Sequence, residues 1–358
     1  MADTAGSQTL SPAQTYSRKV FSLIAICFLF SGVTGLIYEV VWARMLGLVF
    51  GATTLAIGAV LAAFMGGLAL GSAVAARFAS RIVRPVRAYA VIEIAIGIYA
   101  LAVPRLFRWI DLVYAEVWQH LHPGFYGFAF ARFALAALVL IIPTALMGAT
   151  LPLLAAAVTH SSRSASNAVA RLYTCNLAGA LAGAIAAGFY LLPSFGVRAT
   201  IWIVAAINLA VGVAAFLIDA KVPESRSDEV EDIPASESTL QRAHSQSASD
   251  KRFWLFCAFI SGFVTISMQV VWSRVLAMII GSSTYAFSIV LALFLTGLAL
   301  GAYLVSLRKN QTVSSLRRKV LLIEVLTGAS LFASIRVTNA TPAFLVNAGF
   351  RVGVNSWS

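Results

Sequence analysis

Charge is scarce in this chain. Only 11% of its 358 residues are Asp, Glu, Lys or Arg, against about 25% in soluble domains. So few charges could not cover a surface facing water, which excludes an ordinary soluble fold. Cysteine is scarce too. Cys27, Cys175 and Cys257 all lie in apolar segments, and an odd number of buried thiols excludes a disulfide framework. The longest polar stretch, 219–251, has about 33 residues, and no stretch carries a cluster of metal-ligating side chains. His120 and His122 straddle Leu121 without further His or Cys partners, so no metal site is assigned.

What is present is long apolar runs. Hydrophobic residues make up 60% of the chain, and several runs reach the roughly 20 residues that cross a bilayer core. Nine transmembrane helices are expected, near 20–44, 53–76, 88–104, 128–158, 165–193, 197–218, 253–276, 283–306 and 320–335. The fourth holds Pro143 and Pro152 and is expected to bend, or to be a shorter helix with a re-entrant piece. Segment 105–122, with Trp109 and Trp118 as anchors, reads as an amphipathic helix lying in the interface. The fold class is therefore an all-α polytopic membrane protein. Residues 1–19 form a polar N-terminal tail whose Arg18 and Lys19 imitate the start of a signal peptide. The run that follows is too long and lacks a small-residue cleavage site, so an uncleaved first helix is expected.

The net charge of +12 could suggest nucleic acid, but its distribution argues for a membrane. With a cytoplasmic N-terminus, 18 of the 26 basic residues fall on the inner side, among them Arg77, Arg81, Arg84, Arg87, Arg317, Arg318 and Lys319. That bias follows the positive-inside rule and gives the orientation expected here. The lipid bilayer is the expected partner, and nucleic acid is not. Residues 219–251 hold 8 of the 14 acidic side chains and read as a disordered cytoplasmic linker.

The sequence repeats across that linker. "SGVTGLIYEVVWARMLGLVFGATTLAIGAVLAAFMGGLALG" from Ser31 returns at Ser261 with an offset of 230 and no gap, identical at 19 of 41 positions. "IEIAIG" at Ile92 returns as "IEVLTG" at Ile323. Parallel repeats of this kind mark transporter folds. They divide the chain into a six-helix bundle at 20–218, the linker at 219–251, three second-repeat helices at 252–336 and an outer segment at 337–358. The counterpart of Phe128 would fall near position 359, so the chain reads as the front three quarters of a longer protein, whether by truncation, by frameshift or as a genuine short form.

Several residues carry chemistry or packing. Gly67 and Gly71, their copies Gly297 and Gly301, and Gly179 and Gly183 form small-xxx-small patterns that let helix backbones approach closely. Such faces also permit helices to slide. Arg44, repeated as Arg274, lies two residues beyond Trp42, repeated as Trp272, and either snorkels or pairs with another helix. Glu39 is roughly 7 Å deeper than Arg44 and about 140° around the helix from it, so each should have its own partner on another helix. Gln269 replaces Glu39 in the second copy. Glu93 and its counterpart Glu324 lie near the start of the third helix of each repeat, and either tie to the basic loop before them (Arg84 and Arg87; Arg318 and Lys319) or form part of a cation or proton pathway. Asn176 and Asn208 are read first as interhelical hydrogen-bonders and second as substrate ligands.

The segments "SGVTGLIYEVVWARMLG", "VLAAFMGGLALGS", "PTALMGATLPLL" and "LYTCNLAGALAGAIAAGFYLLPSFG" together resemble the membrane portion of the fused major facilitator and spermidine synthase-like proteins of bacteria. That resemblance implies a multi-pass protein of the bacterial inner membrane with major-facilitator-like parallel repeats. It implies a transporter-like or channelling module serving polyamines or related cations, with Glu39, Glu93 and Glu324 attracting the cation and Tyr38, Trp42 and Trp272 offering cation–π contact. It also implies an alternative, a membrane anchor for a separate aminopropyltransferase domain, or a fragment without activity of its own. That catalytic domain is missing here: the only Gly-Gly pair is Gly66–Gly67, inside an apolar run. No catalytic residue and no cofactor is assigned. "GSAVAARFASRIVRP" is similar to the loop between helices two and three of the wider major facilitator superfamily, but lacks its usual aspartate.

Overall fold

A computed structural model describes residues 18–50, 54–121, 124–159, 165–221, 237–281, 283–306, 317–334 and 336. The N-terminal tail 1–17 and the outer segment 337–358 lie outside the described residues, as do the side chains of His120 and His122. Eight long helices follow in order: α1 (Arg18–Phe50), α2 (Thr54–Phe78), α3 (Pro85–Leu121), α4 (Phe125–Thr159), α5 (Ala165–Ala186), α6 (Leu192–Ala220), α7 (Glu237–Ile280) and α8 (Ser283–Ser306). A 3₁₀ turn at Ala79–Arg81 links α2 to α3, and a π turn at Ala187–Leu191 joins α5 to α6. Residues 317–334 are also helical.

Among the described residues, seven stretches are long and apolar enough to cross a bilayer, against the nine expected. One of them, Asn167–Ala220, has 54 residues, about 80 Å if straight, which is far more than one crossing. The chain reverses within it at Gly196, whose φ of 70° and ψ of 177° suit a residue without Cβ. Leu172 and Val211 accordingly pack in one apolar cluster, while Leu192 and Ile201 pack in the other. The two helices expected at 165–193 and 197–218 are thus both present. Helix 317–334 is not among the seven, since Arg317, Arg318, Lys319 and Glu324 crowd its 18 residues.

Three further expectations are corrected. No separate interfacial helix occupies 105–122: α3 continues through Pro104 to Leu121, and its 37 residues reach about 55 Å, so its end projects past a bilayer core. The fourth helix is neither divided nor re-entrant but runs unbroken through Pro143 and Pro152. Pro143 has no N–H to offer the Val139 carbonyl, and the Tyr99 hydroxyl donates to that carbonyl instead, at 2.8 Å. The stretch 219–251 is not wholly a linker either. From Glu237 onward it is the first part of α7, and residues 222–236 lie outside the described residues.

The chain divides into two compact units. One comprises residues up to 236 together with 266–306, and the other comprises 237–265 with 307–358. In the larger unit α2 pairs with α4, α1 with α5, α3 with α6 and α5 with α8. Glycine explains the closeness of these pairs. A Cβ on Gly71 would collide with the Ala145 backbone, and one on Gly148 with that of Leu68. Gly179 and Gly183 stand in the same way against Leu29 and Val33 of α1. Apolar side chains gain little by leaving lipid for another helix, so such backbone contact supplies the packing.

The second copy differs. Added Cβ atoms on Gly297 and Gly301 would meet nothing within 4 Å among the described residues. Gly71→Ala should therefore destabilise the protein in detergent by about 1–3 kcal/mol, as overpacking does. Gly301→Ala should instead stabilise α8 or leave it within about 1 kcal/mol, because alanine is the better helix former. Paired denaturation curves check this, and equal losses in the two variants would refute the assignment.

Candidate functional site: a polar nest among α1, α3 and α6

Glu93 lies in the third turn of α3 and is wholly buried. Its Oε2 accepts a 2.6 Å hydrogen bond from Nδ2 of Asn208 on α6, which is itself 1% exposed. Antiparallel packing of α3 on α6 brings the two together, and Gly97 and Gly212 mark the close approaches on either side. The Ser31 and Tyr89 hydroxyls also face the Glu93 carboxylate, and the Tyr38 hydroxyl lies within its electrostatic reach. Cys27, Ser31 and Tyr38 are spaced four and seven residues apart, so they share one stripe of α1, and that stripe meets α3. A carboxylate is thereby surrounded by hydroxyls and an amide within the bundle.

The nest is not saturated. Glu93 Oε1, Asn208 Oδ1 and Tyr38 Oη are buried without a hydrogen-bond partner. An unsatisfied buried polar group costs about 1–3 kcal/mol, so groups of this kind call for explanation by water, an ion or a polar ligand. The expected tie between Glu93 and the basic loop is not formed. Arg84 and Arg87 instead share one oxygen of Asp219, each at 3.4 Å, and the Arg87 guanidinium lies 4.8 Å from the Phe216 ring. Asp219 closes the ends of α3 and α6 together. The arginine loop thus finds its carboxylate on another helix. Sequence reasoning missed Asp219 by counting it with the linker. Its place at the end of the sixth apolar run, on the same side of the bundle as Arg84 and Arg87, was the available signal.

Glu39 stands apart from this nest. It is 2% exposed, and its Oε1 has no hydrogen-bond partner, contrary to the partner expected on another helix. It lies seven residues beyond Gly32, on the stripe of α1 that meets Asn176 of α5. Asn176 donates to the Phe28 carbonyl at 3.0 Å, so its role is to hold α5 on α1. Arg44 is exposed and reaches Thr284 of α8 at 3.4 Å.

Trp42 is fully buried rather than interfacial. It stacks on Tyr38 with ring centroids 5.0 Å apart and packs against Phe64. The cations found over rings among the described residues sit on Phe78, Phe216 and Phe253, not on Tyr38 or Trp42. In the second copy Gln269, the counterpart of Glu39, is also buried, with Nε2 unpartnered. Trp272 is half-buried and Arg274 exposed. Glu324 belongs to helix 317–334 in the smaller unit and is half-buried there.

A double-mutant cycle of Glu93→Ala and Asn208→Ala should give a coupling of about 1.5–3 kcal/mol, the range for a hydrogen bond to a charged group. Unfolding in detergent measures it, and additive losses would show that the pair contributes nothing as a pair.

The family profile of the Major Facilitator Superfamily matches residues 20–358. No curated protein and no solved structure matches the chain. The profile covers the described helices of both units and agrees with the membrane reading of the apolar stretches. It is broader than the spermidine synthase-linked resemblance and does not support that finer grouping. The chain belongs to the Major Facilitator Superfamily.

Proposed function

We propose that this membrane transporter-like module moves or channels polyamines or related organic cations, with Glu39 and Glu93 as the charged groups of the path. The observation that carries the reading is a set of buried, unpartnered polar atoms at membrane depth. Glu39 Oε1, Glu93 Oε1, Tyr38 Oη and Asn208 Oδ1 belong to the larger unit, as do Gln269 Nε2, Ser273 Oγ and Ser288 Oγ on α7 and α8.

Ionisable groups inside a membrane are expensive and mark substrate or ion routes by default. Two of these groups are carboxylates, which favour a cation, and Tyr38 adds an aromatic face beside them. Arg44 bonds to the neutral Thr284 hydroxyl rather than to either carboxylate, so it keeps its positive charge, at the end of α1 and apart from the Glu93 nest. The basic bias of the α2–α3 loop supports a cytoplasmic N-terminus, and the motif resemblance supports a bacterial inner membrane. The glycine seams supply the close helix pairs that would move as units when access alternates. Residues 219–251, with their acidic excess, would face the cytoplasm and help concentrate a polycation there.

The test is spermidine uptake and binding by the whole chain in proteoliposomes, with Glu93→Gln and Glu39→Gln compared at equal folded amounts. Saturable uptake by the native chain, lost by tenfold or more in either variant, is the expected outcome. Uptake unchanged in both variants would remove the carboxylates from the path. Neither uptake nor binding by the native chain would overturn the transport reading and leave the anchoring of a separate aminopropyltransferase domain.

A further inference from the structure

A second feature of the larger unit lies away from the polar nest. Between α2 and α3, backed by α4, is a crevice of about 770 Å3, within the roughly 300–1,000 Å3 span of small-molecule sites. Its walls are apolar almost throughout, formed by side chains such as Leu70, Val74, Phe78 and Val91, each about half exposed. Two charged residues line it, Arg84 and Arg87, and both belong to the turn that ends one side of the bundle. Ile92, also in the lining, is eight residues beyond Arg84, so the crevice runs about 12 Å from the guanidiniums along the helix axis into the apolar layer.

We propose that this crevice binds an anionic glycerophospholipid from the leaflet that faces the α2–α3 turn. Its phosphate sits on Arg84 and Arg87, and the upper part of one acyl chain lies against α2, α3 and α4. The shape follows from the packing. Gly71 and Gly148 draw α2 onto α4, and α3 packs on α4 and α6, which leaves a lateral gap between α2 and α3. In a bilayer the substance at hand to fill an apolar gap that opens sideways is lipid. Charge then selects the lipid. Asp219 faces both guanidiniums, and Arg77 and Arg81 bring the basic residues near this turn to four. The excess is positive where a headgroup would sit. Guanidinium is planar and suits the bidentate recognition of phosphate, and basic pockets between transmembrane helices suit anionic headgroups.

The inference is independent of the polyamine reading. Glu39 and Glu93 are absent from the crevice, and lipid binding can be measured without transport. The test is native mass spectrometry of the delipidated full chain in detergent, titrated with phosphatidylglycerol or phosphatidylcholine. The native chain should retain one phosphatidylglycerol about tenfold more strongly than phosphatidylcholine, as one or two charge-assisted hydrogen bonds provide. Arg84→Gln with Arg87→Gln should abolish that preference. Ala149→Trp, which fills the crevice without touching charge, should reduce retention of both lipids. Asp219→Asn should keep or strengthen the preference, since it removes the competing carboxylate. Inorganic phosphate should not displace the lipid. Equal retention of the two lipids by the native chain would overturn the proposal, as would an unchanged preference in the double arginine variant or full retention in Ala149→Trp. Melting curves of each variant show whether a loss reflects unfolding.

Discussion

In a bilayer an apolar side chain gains almost nothing by exchanging lipid for a neighbouring helix, so this bundle depends on backbone contact at glycine. Gly71 and Gly148 bring α2 and α4 together from both sides, while Gly179 and Gly183 seat α5 on α1. Gly32 repeats the contact from the α1 side, against Asn176. Beside these pairs α3 packs on α6, and Tyr38, Trp42, Phe64 and Ile96 lie in the buried apolar layer.

The same close packing makes a carboxylate at position 93 tolerable. A buried charge without hydrogen bonds is costly, and Asn208 reaches Glu93 because Gly97 and Gly212 let α3 and α6 approach. The arrangement stabilises one oxygen and leaves the other open. A fully saturated network would rigidify the bundle, whereas this one keeps capacity for a further polar group. Arg84, Arg87 and Asp219 close the end of the same helix pair, with Asp219 buried and the two arginines partly exposed. Their weight lies in placing positive charge at the mouth of the lateral crevice.

The internal repeat shows how far identical residues can diverge in use. "GLALG" occurs in both copies, yet Gly71 is pressed against α4, while a Cβ on Gly301 would meet nothing within 4 Å among the described residues. A glycine pattern states that close approach is permitted, and the presence of a partner helix decides whether it happens. Trp42 and Trp272 differ likewise, one wholly enclosed and the other half-buried.

The sequence by itself determined the all-helical membrane class, the position of most helices to within a few residues, the glycine seams as packing devices and the burial of Glu39, Glu93 and Asn208. These are legible because they rest on local composition: a run of apolar residues spans lipid whatever surrounds it, and a carboxylate inside such a run is buried. Tertiary structure alone decided which polar groups meet. Nearness in sequence offers Arg84 and Arg87 as one of two readings of Glu93, but its partner is Asn208, 115 residues away, while the arginines pair with Asp219. The continuity of α4 across Pro143 was decided in the same way, by Tyr99 of another helix. Partner choice depends on which helix faces lie together, and that is fixed by backbone contacts between segments remote in the chain, which no local pattern records.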